Sequence, residues 1–222
     1  MSLTPKLLTA ALATALAFPG AAGAQGDPDH AVAGGGSLPA GWRARTERDA
    51  PLTNVKFVAM DNGYHVTLGP ATIFWRDADT ASGNYHAVAT FAQTRAPQHP
   101  EAYGLLIGGR HLADSAQSYT YFIIRTVADR SEFSIRRRAG YAVRPTAVVD
   151  WTAHAAIKPV DAAGKTTNEL SVLVADGKAT FYVNGAEVFS ASAADIDTNG
   201  VVGYRVNHNL DVHLSAIGVH GR

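Results

Sequence analysis

Apolar and polar residues alternate along this chain in short runs, and most runs end in Gly, Asn, Asp or Pro. VKFVAM (55–60), YHVTLG (64–69), TIFW (72–75), YHAVATFAQ (85–93), AYGLLIGG (102–109), SYTYFIIRTV (118–127) and SEFSIRRR (131–138) form the first group. ELSVLVA (169–175), KATFYV (178–183), AEVFSA (186–191), GVVGYRV (200–206) and LDVHLSAIGV (210–219) form the second. A period of two with Val, Ile, Thr, Tyr and Phe enrichment predicts half-buried β-strands, and turn residues at regular spacing predict a two-sheet sandwich. No segment beyond the first residues sustains a helical period. The expected fold is all-β, a two-sheet jelly roll.

Turn chemistry sets the register of two hairpins. Asp176-Gly177 and Asn184-Gly185 are type I′ pairs, because both central residues must take positive φ. Folding at the first places Leu170 opposite Val183, Val172 opposite Phe181 and Val174 opposite Ala179, with Ser171 opposite Tyr182 on the other face. Folding at the second places Phe181 opposite Val188 and Tyr182 opposite Glu187. A third hairpin over 119–138 aligns Arg125 with Glu132, Ile124 with Phe133 and Phe122 with Ile135. One of its faces is then apolar. The other carries Tyr119, Tyr121, Ile123 and Arg125 beside Glu132, Ser134, Arg136 and Arg138.

The tail holds a His-x-x-Asp-x-His spacing at His208, Asp211 and His213. Strand parity separates these residues: Leu210, Val212 and Leu214 form an apolar stripe, so Asp211 and His213 point the other way while His208 shares the parity of the stripe. One strand therefore does not aim all three at an ion, and no metal site is expected. Asn207-His208-Asn209 reads as a hairpin turn that sets Val206 against Leu210, Tyr204 against Val212 and Arg205 against Asp211. His65, His86, His99, His111, His154 and His220 have no partner at metal-ligand spacing.

Composition narrows the picture. The chain has 222 residues, 46% hydrophobic and 17% charged, with formal net charge zero. That is the composition of a globular protein, and it gives no electrostatic case for nucleic acid or an anionic membrane surface. Residues 1–24 read as a secretory signal peptide: Lys6, an apolar run too short to span a bilayer (7–18), and Ala22-Gly23-Ala24 before Gln25. Export to a periplasm or beyond follows, with no membrane insertion once the signal is removed. Residues 25–41, rich in Gly, Pro and Asp, read as a flexible leader, and 42–222 as a single domain. With no cysteine, disulfides, thiolate metal sites and cysteine nucleophiles are excluded.

TNELSVLVADGKATFYVNGAEVF (167–189), GVVGYRV (200–206) and LDVHLSAIGV (210–219) together resemble the C-terminal half of concanavalin A-like lectin/glucanase domains. The likeness is greatest to the laminin-G-like and 3-keto-disaccharide-hydrolase-like branches. The resemblance implies a jelly roll whose concave face handles carbohydrate. Glucanase members carry E-x-D-x-x-E or a close variant; here Glu47-Arg48-Asp49 has no second glutamate, so that catalytic pattern is absent.

Candidate ligand-binding residues follow from what sugars need: aromatic rings for stacking and planar donors for hydroxyls. Trp75, Tyr119, Tyr121, Arg136 and Arg138 supply both, and their basic character suits an acidic or phosphorylated glycan. Asp77 and Asp79 form a possible carboxylate pair in DADTASG, a stretch of turn composition. Asp195 and Asp197 lie in another loop-like stretch, where the laminin-G-like resemblance allows calcium; no other cofactor is implied. The leading expectation is carbohydrate recognition. A glycoside hydrolase of the 3-keto-disaccharide-hydrolase-like type and a non-catalytic protein-interaction module of the envelope stay open beside it.

Overall fold

The computed structural model describes residue 29 and residues 31–221. The expected signal peptide at 1–24 lies outside them. Among the described residues the first strands are β1 (Arg43–Thr46), β2 (Val55–Met60), β3 (Gly63–Leu68), β4 (Thr72–Ala81) and β5 (Tyr85–Gln93). Next come β6 (Tyr103–Arg110), β7 (Ser118–Val127), β8 (Arg130–Ala139), β9 (Thr146–Ala153) and β10 (Thr166–Ala175). The last are β11 (Lys178–Val183), β12 (Ala186–Ser192), β13 (Gly200–Val206), β14 (Asp211–Ser215) and β15 (Gly218–Gly221). Helix is confined here to 3-10 turns at Glu47–Asp49, Leu52–Asn54 and Ala193–Asp195. No helix of the described residues is long and apolar enough to cross a membrane.

Two antiparallel sheets form a jelly-roll sandwich. The front sheet has the order β1-β4-β13-β6-β7-β8-β9, and the back sheet the order β12-β11-β10-β5-β14-β3-β2, with β15 beside β5. The alternation read from sequence sends one side chain in two to the interior. Phe122 of the front sheet meets Phe181 of the back sheet edge-on at 5.3 Å and Phe133 at 6.2 Å. At the other end Trp42 stacks on Tyr204 at 5.4 Å and touches Phe57 and Tyr64 edge-on at 5.0 and 4.9 Å.

The predicted hairpins are present. Asp176 and Gly177 have φ of 52° and 75°, and Asn184 and Gly185 have 51° and 81°, as type I′ turns require. Leu170, Val172 and Val174 face Val183, Phe181 and Ala179, and Ser171 faces Tyr182. At the second turn Tyr182 faces Glu187 as expected, but the register then slips and Phe181 faces Phe189 instead of Val188. A bulge there lets two aromatic rings meet across the strands. The pairings of Arg125, Ile124 and Phe122 with Glu132, Phe133 and Ile135 all hold.

The expected closing hairpin does not form. β13 is flanked on both edges by β4 and β6, and β14 by β3 and β5, so neither has an edge left for the other. Residues 207–210 instead cross from the front sheet to the back. Val206, Tyr204, Leu210, Val212 and Leu214 still reach one core, from opposite sheets rather than side by side. Arg205 and Asp211 are correspondingly on different outer faces. Described residues of the stretch read as a flexible leader also make contacts with the domain. Leu38 packs on the core, the Gly36 amide donates to the Val55 carbonyl at 3.0 Å, and Asp29 reaches His208 at 2.8 Å.

Because Phe122 joins the two sheets, Phe122→Ala should lower unfolding stability by about 3–5 kcal/mol. Urea denaturation should show this as a lower midpoint with an unchanged slope.

Candidate functional site

The outer face of the front sheet bears the residues singled out from sequence. Strand register aligns Arg43, Trp75, Gly203, Leu106, Tyr121, Arg136 and Ala147 in one row across the seven strands. Gly203 is required in that row, since a Cβ there would lie 2.3 Å from the Phe74 carbonyl oxygen. Tyr119 and Arg138 face one another one step along β7 and β8. The sheet therefore brings Trp75, Tyr119, Tyr121, Arg136 and Arg138 onto one face.

Burial divides these five. Trp75, Tyr119, Tyr121 and Arg138 are only 2%, 1%, 6% and 8% exposed; they belong to a floor. Trp75, Tyr119 and Tyr121 share a second apolar cluster with Ile73, Ala102, Leu106, Leu112 and Ile123. Arg136 stays partly exposed at the rim. Its guanidinium lies 5.9 Å from the Trp151 ring centre and donates to Asp150 at 2.8 Å. Arg125 covers the same ring at 3.7 Å while pairing with Glu132 at 3.1 Å. At the other rim Arg43 sits over Trp75 at 5.5 Å and bonds Asp77 at 3.0 Å.

A carboxylate from outside the expected set organises the floor. After β1 the chain turns through Arg48 and Asp49 at φ of 58° and 51°, and the Glu47 amide is fixed to the Ala71 carbonyl at 2.7 Å. Glu47 Oε1 then accepts from Arg205 Nη2 at 2.7 Å and from Arg138 Nη2 at 3.0 Å. Arg205 lies 5.7 Å from the Tyr121 ring centre. Arg138 also donates to the Tyr141 and Val143 carbonyls at 2.9 and 3.3 Å. Burial pushes the Glu47 carboxyl up, but Arg205 and then Arg138 outweigh it and hold the group below its ordinary value. Among the described residues, Arg45 Nε and Nη1 and Arg138 Nε are buried without a hydrogen-bond partner.

The other candidate acids are otherwise engaged. Asp77 and Asp79 lie inside β4, where the register with β13 shifts between Thr80 and Trp75, rather than in a turn. Asp77 accepts from Trp75 Nε1 at 3.1 Å. Asp79 is held by Arg76 at 2.7 and 2.9 Å, whose guanidinium lies over Trp42. Asp197 accepts from Arg137 Nε and Nη2 at 2.7 and 3.1 Å. Among the described residues no group of three or more His, Asp or Glu is arranged to hold an ion. Asp211 and His213 sit on the back sheet, away from His208.

The places that Glu47, Arg205 and Trp151 take on this face differ from what the sequence alone implies, for distinct reasons. Arg205 has the parity opposite to Tyr204 and Val206, a visible sign that it leaves the core. Its partner Glu47 is 158 residues away, beyond any local pattern. Trp151 lies on the edge strand β9, whose TAVVDWTA sequence carries the strand alternation weakly.

With the geometry in hand, comparison with known proteins bears on the fold. No family model matches the chain, and no curated protein matches it in sequence. Among solved structures it is similar to the carbohydrate-binding module CBM66 from Bacillus subtilis, with TM-score 0.56, 12% identity, and coverage of 82% of this chain and 96% of that one. A legume lectin-like domain from Entamoeba histolytica gives TM-score 0.54 at 10% identity, covering 82% and 90%. A Bacillus subtilis protein of unknown function with a galectin-like fold gives 0.53 at 12%, covering 81% and 89%. These likenesses show the two-sheet jelly-roll fold.

Removing Glu47 leaves two guanidiniums buried against each other. Glu47→Gln should cost about 3–5 kcal/mol, the range for breaking a buried ion pair from one side. The folded-state carboxyl is depressed, so its contribution is complete above the ordinary value of 4.5 and is lost as pH falls through the lowered folded value. Thermal melts across pH 2–7 should show a smaller acid-side loss for Glu47→Gln than for the parent chain.

Proposed function

We propose that the chain binds carbohydrate on the outer face of the front sheet. The observation that carries this reading is the combination on one face of a packed aromatic floor and a rim of guanidiniums. Floor residues Trp75, Tyr119, Tyr121 and Arg138 hold the surface rigid, and the rim group Trp151, Arg125 and Arg136, with Arg43 opposite, supplies direct contacts. An indole ring offers a stacking surface for the C–H face of a sugar, and planar guanidiniums donate to its hydroxyls. The similarity of the fold to a carbohydrate-binding module and to a lectin-like domain supports the same conclusion. Export to a periplasm or the exterior, as the first 24 residues suggest, would place the domain among such ligands.

Binding is favoured over hydrolysis by the state of the acids. Glycosidic cleavage needs a carboxyl held protonated, with a second carboxyl across the bond. On this face Glu47, Asp77, Glu132 and Asp150 are each in an ion pair with arginine, and Glu47 is held ionised. The partly exposed rim guanidiniums of Arg43, Arg125 and Arg136 favour glycans carrying carboxylate or sulfate.

A glycan array spanning neutral, uronate-bearing and sulfated oligosaccharides tests this directly. We expect saturable binding that weakens with added salt. Trp151→Ala and Arg136→Ala should each weaken it at least tenfold with the melting temperature nearly unchanged. No binding across the panel, or binding indifferent to both substitutions, would remove this face as the site.

A further inference from the structure

The outer face of the back sheet carries a cluster that carbohydrate binding on the front sheet does not use. His65 of β3 and His213 of β14 are directly opposite in the ladder, with Nδ1 atoms 3.1 Å apart and ring centres 4.5 Å apart. Their neighbours in the same row are Val58 and Ala92, which offer no polar group to either ring. We propose that His65 and His213 form a two-imidazole chelate for a divalent transition-metal ion, copper(II) foremost.

The hydrogen bonds around His65 set its tautomer. The Thr67 hydroxyl gives its proton to Asp211 Oδ2 at 3.0 Å, so its oxygen accepts from His65 Nε2, 3.0 Å away. Asp211 Oδ1 lies 3.4 Å from the same nitrogen and is itself fixed by the Thr94 hydroxyl. With the proton on Nε2, the Nδ1 lone pair of His65 faces His213. A carboxylate behind one ring nitrogen while the other faces the ion is the arrangement that orients metal-binding histidines and raises their basicity. Partial burial, with His213 and Lys56 alongside, holds His65 below the ordinary imidazole value despite Asp211.

Distance and access agree with this role. Two nitrogens 3.1 Å apart, each about 2.0–2.1 Å from an ion, close an N–M–N angle of about 100°. That value lies between square-planar and tetrahedral arrangements. His213 is exposed and lines an open groove with Met60, Gly63, Thr90 and Ser215, which leaves the remaining coordination positions to water or an incoming ligand. Imidazole pairs favour copper(II) over the other first-row divalent ions by the Irving–Williams order. The spacing within the tail could not reveal the pair, because His65 lies 148 residues from His213.

The purified chain titrated calorimetrically with copper(II) sulfate, and separately with zinc chloride, tests the assignment. We expect one copper(II) per chain, held more tightly than zinc, with an electron paramagnetic resonance spectrum showing two imidazole nitrogens. H65A/H213A should lose at least tenfold in copper affinity. H86A/H220A, which removes the neighbouring histidine pair of β5 and β15, should bind as the parent does. No saturable copper binding, a spectrum with fewer than two imidazole nitrogens, or binding that survives in H65A/H213A would overturn the proposal. The spectrum of the parent chain decides the matter even where a variant melts early.

Discussion

One carboxylate makes the front face possible. A two-layer sandwich needs only its inner faces dry, yet here Trp75, Leu106, Tyr119, Tyr121 and Ile123 are also buried, on the outside. Arg138 and Arg205 are sunk among them, and two unpaired guanidiniums in that position would carry a desolvation penalty of several kcal/mol each. Glu47 meets both through a single oxygen, and the Tyr141, Val143 and Asn207 oxygens take further donors. The strained turn at Arg48 and Asp49 places that carboxylate where β1 ends. Local backbone conformation at the start of the domain therefore conditions the electrostatics at the centre of a sheet built from residues far along the chain.

How far the sequence could be read follows the range of the interactions involved. Hairpins closed by Asp176-Gly177 and Asn184-Gly185, and the 119–138 pair, depend on residues within about twenty positions, where parity and turn chemistry suffice. The slip at Phe181 was invisible because a bulge adds one residue without changing the apolar pattern on either strand. The tail failed differently. Its proposed hairpin satisfied every local rule, but those rules say which side chains are apolar and not which sheet they face. Only the occupancy of all four edges of β13 and β14 excludes the pairing, and that is a property of the whole topology.

Site residues show the same division. The Tyr and Arg alternation of β7 and β8 puts Tyr119, Tyr121, Arg136 and Arg138 on one face, and register through β6 and β13 adds Trp75 of β4 to it. What alternation does not encode is depth. A sheet face opposite the core is exposed by default, so the sequence reading made all five residues a surface. Glu47, Leu112 and the 140–144 loop lie over part of that face, which turns most of the five into a floor and leaves Trp151, Arg125 and Arg136 at its partly exposed rim. The covering groups come from connections between strands, where sequence periodicity carries no information about placement.

The fate of Arg205 and Asp211 shows why the two outer faces differ in character. Paired locally, each would have neutralised the other in a single exposed salt bridge of small worth. Sent to opposite sheets, each instead organises a separate polar cluster. Arg205 draws Glu47 over the aromatic floor and leaves the front face rich in positive charge. Asp211 takes the hydroxyls of Thr67 and Thr94 and the Nε2 side of His65, and its carboxyl is held below the ordinary value mainly by those hydroxyls against the upward pull of burial. A crossover of only four residues between β13 and β14 thus separates an arginine chemistry from a histidine chemistry. The sandwich presents two outer faces of different side-chain chemistry, one of arginine and aromatic groups and one of histidine, hydroxyl and carboxylate groups, from a chain whose net charge is zero.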